Sequence, residues 1–236
     1  MLLSILKTKG LIISESKMGD FDKMVTILTP SGKIGCAARG ARRPKSLLMA
    51  GTQFFCFGEY LIFKGNNSYS INSCDTIEVF YNLRTDLDKL NYAAQVCKII
   101  DKVTFENQST YKILQLALNT LYTISETNKN LELIFSVFRI RLLCLLGFMP
   151  KVNGCTNCGA KEKMAYFSIV DNGFKCAECG RSDKSAISIN PTTADAIRYI
   201  IVSPAKKIFS FELPEESLRE LSLVSKIYSE DKLELN

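Results

Sequence analysis

Histidine is absent from this 236-residue chain. That excludes every mechanism that turns on an imidazole: Ser-His-Asp and Cys-His nucleophile systems, a histidine general base, and histidine metal ligands. A Walker-type glycine loop, a GxGxxG following a strand and an HExxH helix are missing as well. Carboxylates, lysines and tyrosines remain, but the commonest catalytic devices do not, and the chain reads as a non-enzyme. Long apolar runs are also lacking. The most hydrophobic stretch, LIFSVFRIRLLCLLGFMP, is interrupted by Arg139 and Arg141 and is too short between charges to span a bilayer. The first residues, MLLSILKTKG, lack the apolar run and small-residue cleavage site of a secretory signal. An intracellular protein with no membrane partner is expected.

One absence is local. Between Asp22 and Glu59 there is no acidic residue, while Lys23, Lys33, Arg39, Arg42, Arg43 and Lys45 all fall inside that interval. The segment therefore carries +6, as much as the whole chain. Four of those charges crowd into ARGARRPKS, residues 38–46. Lysine and arginine displace condensed counterions from a phosphate backbone, and guanidinium forks match phosphate oxygens two at a time. The six cations are thus candidate nucleic-acid ligands. Nearby aromatics (Phe54, Phe55, Phe57, Tyr60, Phe63 and Tyr69) lie on expected strands, where alternation assigns about half to the core and leaves the rest able to stack on bases.

The first 80 residues read as β-structure. LLSILKTKGLIISES is one strand, and DKMVTILTPSGKIGCAARG is two, joined at Pro30-Ser31-Gly32. TQFFCFGEYLIFKGNNSYSINSCDTIEVF is two longer ones, joined through Gly65-Asn66-Asn67. Five strands at short spacing suggest a small barrel or sandwich. From Tyr81 the apolar period becomes helical. A second helix, TYKILQLALNTLYTIS, follows Ser109 as its expected N-cap. A third, LELIFSVFRIRLLCLLG, closes at Gly147 with Pro150 soon after. A fourth begins at Pro191, with Thr192 and Asp195 resembling a capping box, and a fifth opens at Pro214-Glu215-Glu216.

Nine cysteines are present. Cys36, Cys56, Cys74, Cys97 and Cys144 lie singly among apolar residues and read as reduced thiols. The other four form C-x2-C-x17-C-x2-C: Cys155, Cys158, Cys176 and Cys179. Each pair is followed by a glycine that lets the knuckle turn, and MAYFSIVDNGFKC between them reads as a hairpin turning at Asp171-Asn172-Gly173. Two knuckles supply four sulfurs at tetrahedral spacing, pointing to one structural Zn²⁺, with a rubredoxin-like iron or an empty site as alternatives. Four thiolates leave no open coordination position, which argues against a zinc nuclease.

Beyond these residue-level readings, GDFDKMVTILTPSGKIGCAARGARRPKS resembles the N-terminal signature of the RecO family of bacterial recombination mediators. FRIRLLCLLGFMP followed by CTNCG is similar to that family's central helix leading into its four-cysteine module. The resemblance implies an α+β chain. An OB-fold-like small β-barrel (1–80) would be followed by an α-helical domain (81–150 and 190–236) carrying an inserted four-cysteine zinc finger (151–189). It implies binding of single- and double-stranded DNA and annealing of complementary strands. With RecR it implies loading of RecA onto strands coated by single-stranded-DNA-binding protein (SSB), in a cytoplasmic, nucleoid-associated setting. Two places depart from the family pattern: Phe138-Arg139, where the family has an acid after the phenylalanine, and the short acidic ending YSEDKLELN. Arg139 and Arg141 are candidate contacts for an acidic partner tail. The rival to DNA binding is an interaction adaptor whose basic loop docks an acidic protein.

Overall fold

The computed structural model describes residues 4–65 and 68–234. They pack as two compact units, residues 1–126 and 127–236. In the first unit, β1 (Ser4–Met18), β2 (Asp22–Thr29), β3 (Gly32–Ala38), β4 (Phe57–Lys64) and β5 (Tyr69–Glu78) close a barrel in the order β1-β2-β3-β5-β4. The long β1 makes closure possible: its first half pairs with β4 and its second half with β2, across a bulge between Ile12 and Ser14. The seam is a short parallel contact of β3 with β5 at Cys36–Tyr69 and Ala37–Ser70. This is the OB-like barrel that the five strands foretold. Asn66 and Asn67, expected at the β4–β5 turn, lie outside the described residues.

Alternation fills the barrel. Ile12, Val25, Ile27, Cys36, Cys56, Tyr60, Ile62 and Ile71 form one buried cluster. Burial pushes the Cys36 thiol up to about 12, so it stays protonated as a core side chain. Tyr60 satisfies its hydroxyl by donating to the Gly51 carbonyl at 2.8 Å.

A 3₁₀ turn, Tyr81–Arg84, leads to α1 (Leu87–Val103) and α2 (Tyr111–Glu126), which belong to the same unit. The loop between them clamps the β2–β3 turn. The Thr110 hydroxyl donates to the Thr29 carbonyl at 2.5 Å and accepts from the Gly32 N–H at 2.9 Å. Gly32 has φ +121, and a Cβ there would lie 2.7 Å from the Phe105 carbonyl oxygen, so only glycine fits. Thr110, not Ser109, flanks the start of α2; the Thr110 hydroxyl is held by the distant turn.

In the second unit, α3 (Leu131–Leu145) is buried on almost every side and packs against α5 (Pro191–Val202) and α6 (Glu215–Leu233). Asn130 caps α3, and Gly147 follows it with φ +92, the left-handed stop expected there. At α5 the expectation fails. The N-cap is Asn190, whose side chain accepts from the Thr193 N–H, while Asp195 pairs with Arg198 at 2.8 Å. Asn190 prevails because the Glu220 carboxylate receives its backbone N–H at 2.8 Å and so orients it.

Between α3 and α5 lies a three-stranded sheet of β6 (Met164–Ser168), β7 (Gly173–Cys176) and β8 (Ala186–Ser188), in the order β7-β6-β8. The expected hairpin is β6–β7. The short α4 (Ala177–Arg181) and β8 carry no period that sequence reading could detect.

Candidate nucleic-acid interface and metal centre

β3 ends at Ala38, and the chain reaches β4 only at Phe57. The intervening loop holds the cationic run and is fixed at its start by the β1–β2 turn, residues 19–21. The Gly40 N–H donates to the Asp22 carboxylate at 2.7 Å, with Gly40 at φ +65. The Arg42 N–H donates to the Phe21 carbonyl at 2.9 Å, and its guanidinium to the Gly19 carbonyl at 3.1 Å. Arg43 places its guanidinium over the Phe21 ring, 5.2 Å from the centroid. Arg39, Arg43 and Lys45 stand exposed and Arg42 is half-buried. Lys45 is held at φ 63, a left-handed backbone that few non-glycine residues adopt.

The two remaining candidates are differently placed. Lys23 is paired with Glu15 at 2.7 Å. Lys33 is paired with Asp101 at 2.9 Å, and its ammonium also donates to the Asp101 carbonyl. The acid-free window in sequence is therefore not acid-free in space: Asp22, Glu15 and Asp101 reach in from outside it. The structure gathers Arg39, Arg42, Arg43 and Lys45 on one loop and sets Lys23 and Lys33 against internal carboxylates.

Phe54 and Phe55, expected on a strand, lie in the loop before β4, which begins at Phe57; the pleat sorts only the aromatics that are on strands. Phe55 and Tyr60 are buried; Phe54, Phe57, Phe63 and Tyr69 are only partly exposed. Sequence reasoning missed Phe21. It is 48% exposed, between Met18 at 37% and Met24 at 41%, and sits against the cationic loop. The signal was the turn itself, since a large apolar residue in a Gly-Asp-Phe-Asp turn has no core to enter.

The four clustered cysteines converge. Their sulfurs all lie within 4.8 Å of one another, and Cys158 Sγ is 3.8 Å from Cys176 Sγ. A tetrahedron with metal–sulfur bonds of about 2.3 Å has edges of about 3.8 Å, so the donor set fits a four-coordinate metal ion. The first knuckle turns as expected. The Gly159 N–H donates to the Cys155 carbonyl at 2.9 Å with φ +76, and the Cys155 N–H donates to the Ala160 carbonyl at 2.7 Å. The second does not need its glycine for turning: Gly180 is helical, and a Cβ there would meet the Tyr166 ring at 2.1 Å.

Thiols this close cannot all ionise unaided. For Cys155, burial raises the pKa, but backbone N–H groups donating to its sulfur outweigh that and bring it to about 6. At Cys158 a backbone donor from Ala160 favours the thiolate, yet the three neighbouring sulfurs push it up to about 11. A divalent ion removes that conflict. The Asn157 amide donates to Cys179 Sγ at 3.3 Å. In the same module, the nearly buried Lys175 ammonium bridges Asp171 at 2.5 Å and Asp183 at 2.7 Å. Hydrogen bonds from Lys175, Ser168 and Ser185 hold the Asp183 carboxyl well below the usual carboxylate range.

Arg139 lies half-buried with its guanidinium over the Phe135 ring, 4.0 Å from the centroid. Arg141 donates to the carbonyls of Ile200 and Ile201, at 3.0 and 2.6 Å, in the last turn of α5. Among the described residues no helix is long and apolar enough to cross a membrane.

Comparison with known proteins adds a sequence relationship along the whole chain. Residues 1–80 match the family described as recombination protein O N terminal, and residues 84–236 match recombination protein O C terminal. The DNA repair protein RecO of Acetivibrio thermocellus is 44% identical over 236 residues, covering 99% of this chain and 94% of that protein. Those of Alkaliphilus metalliredigens and Bacillus subtilis are 32% and 30% identical over 226 residues, covering 95% of this chain and 92% and 88% of theirs.

Proposed function

This chain belongs to the RecO family of DNA repair proteins, and from that premise we propose that it is a DNA-binding mediator of recombinational repair. One observation carries the reading: Arg39, Arg42, Arg43 and Lys45 share a loop that the β1–β2 turn holds in place. These cations grip phosphates of single or double strands. Annealing then needs no catalytic residue. Neutralising two backbones lowers their mutual repulsion, and base pairing does the rest.

In this reading the barrel (1–80) is the DNA-binding domain and 81–150 with 190–236 the helical domain. Residues 151–189 are a finger holding one Zn²⁺ through Cys155, Cys158, Cys176 and Cys179. The ion is structural, because four thiolates fill its shell. RecR and SSB are the protein partners, RecA is loaded in consequence, and the setting is the bacterial cytoplasm. Arg139 and Arg141 on the central helix are the residues that would meet an acidic tail, Arg141 while it also donates to the end of α5.

Fluorescence anisotropy of labelled oligo-dT and of a duplex, titrated over a range of salt, tests the core claim. Each phosphate contact on a single strand contributes about 0.7 to the slope of log affinity against log salt. Replacing both Arg42 and Arg43 by alanine should flatten that slope by about 1.4 and weaken binding alike on different sequences. An unchanged slope removes the loop from the interface. If the wild-type protein fails to bind at low salt, the loop reads an acidic protein instead.

A further inference from the structure

The cationic loop does not stand alone; it is joined to an apolar platform that phosphate binding leaves unused. Phe21 is about half exposed at the end of the β1–β2 turn, and Met18 on β1 and Met24 on β2 are exposed too. A half-exposed phenylalanine in a turn gains little from burial, yet this one is held firmly. Its carbonyl accepts from the Arg42 N–H at 2.9 Å, and the Arg43 guanidinium lies over its ring at 5.2 Å. One ring face is thus ordered by a cation.

Charge divides the surface. The turn carries carboxylates, exposed Asp20 and half-buried Asp22, whereas the adjoining loop carries four cations. Phosphates are drawn to the loop and turned away from the turn, which leaves a neutral, flat, unstacked base as the group that suits Phe21. Stacking of this kind is open to single strands and closed to an intact duplex, whose bases are already stacked.

We infer that Phe21 is a base-stacking platform that gives this chain a preference for single-stranded over duplex DNA. The inference rests on the loop gripping phosphates but goes beyond it, because it concerns bases and strandedness.

The chain contains no tryptophan, so Phe21→Trp introduces a lone indole reporter at this position. Indole emission, excited where tyrosine is silent, should be quenched on adding oligo-dT and should stay unchanged on adding an oligomer of abasic sites. In anisotropy titrations Phe21→Ala should weaken oligo-dT binding roughly 5- to 150-fold while leaving the salt slope and duplex affinity at their wild-type values. Phe21→Leu, which keeps an apolar side chain without a ring, should lose most of the same affinity. Normal oligo-dT binding by Phe21→Ala with unquenched emission from Phe21→Trp overturns the platform and leaves the phosphate-gripping loop intact. Failure of the wild-type chain to bind any DNA overturns both.

Discussion

Lys175 in the cysteine module and Arg43 in the barrel loop carry the same charge into opposite surroundings. Lys175 is 7% exposed and bridges two carboxylates; the one nearer the core, Asp183, accepts from two serines as well. Arg43 is exposed and lies over an aromatic ring, and among the described residues no carboxylate pairs with it. A buried charge must be compensated on the spot, so every group around Lys175 serves the fold. In the proposed function, an exposed cation on a clamped loop has its compensation supplied by the phosphates it binds. Charge that is answered internally reports architecture; charge left unanswered on a clamped loop is where the proposed function puts the ligand.

The sharpest way to break this comparison is to remove the metal proposed to hold the module together. Structural zinc in small cysteine modules contributes apparent binding free energies of about 10–16 kcal/mol, which are folding free energies. Cys176→Ser, or a strong chelator, should therefore release the metal and expose residues 151–189 to protease. Elemental analysis should find one equivalent of zinc in the wild type and little in the variant. Retained metal, or a module still resistant after stripping, would show that the sheet stands without it.

A smaller loss is expected from Lys175→Met, which leaves Asp183 with only its serine partners. Removing one partner of a buried pair typically costs 3–5 kcal/mol, and the exposure of Asp171 places the cost here at about 3 kcal/mol, read by denaturant unfolding. The pH dependence has a definite sign. Asp183 has a lowered pKa in the folded state, so its contribution is fully present above the ordinary carboxyl value of about 3.9. It is lost as pH falls from there through the lowered folded value. The wild type should hold its module between neutral pH and about 5, and Lys175→Met should lose much of the acid dependence below that.

Much of this was legible in the linear chain. Five strands, the left-handed stop at Gly147 and the two cysteine knuckles all depend on neighbours a few residues away. What was not legible depends on distant partners. Thr110 takes the place expected for Ser109 because its hydroxyl is held by a turn 81 residues earlier. Asn190 caps α5 because Glu220, 30 residues on, orients it. Gly180 is required by the Tyr166 ring and not by the knuckle it follows. The site divides in the same way. The loop cations could be named from their crowding, whereas Phe21 emerges only when the turn is seen against the loop, and the partners of Lys23 and Lys33 lie outside the acid-free window.

Lys33 gives the finest cut between answered and unanswered charge. It belongs to the same acid-free run as Arg43, yet Asp101 at 2.9 Å already neutralises it from α1. Arg43→Ala should flatten the salt slope on oligo-dT by about 0.7, one phosphate contact. Lys33→Ala should flatten it by much less and cost the fold only about 0–1 kcal/mol, as expected of a partly exposed pair. The decisive comparison is Asp101→Asn. If Lys33 is held away from phosphate only by that carboxylate, freeing it should steepen the slope toward one additional contact in the variant. Equal flattening by Lys33→Ala and Arg43→Ala in the wild-type background would mean that DNA displaces Asp101, and internal pairing would then be no guide to which cations meet the ligand.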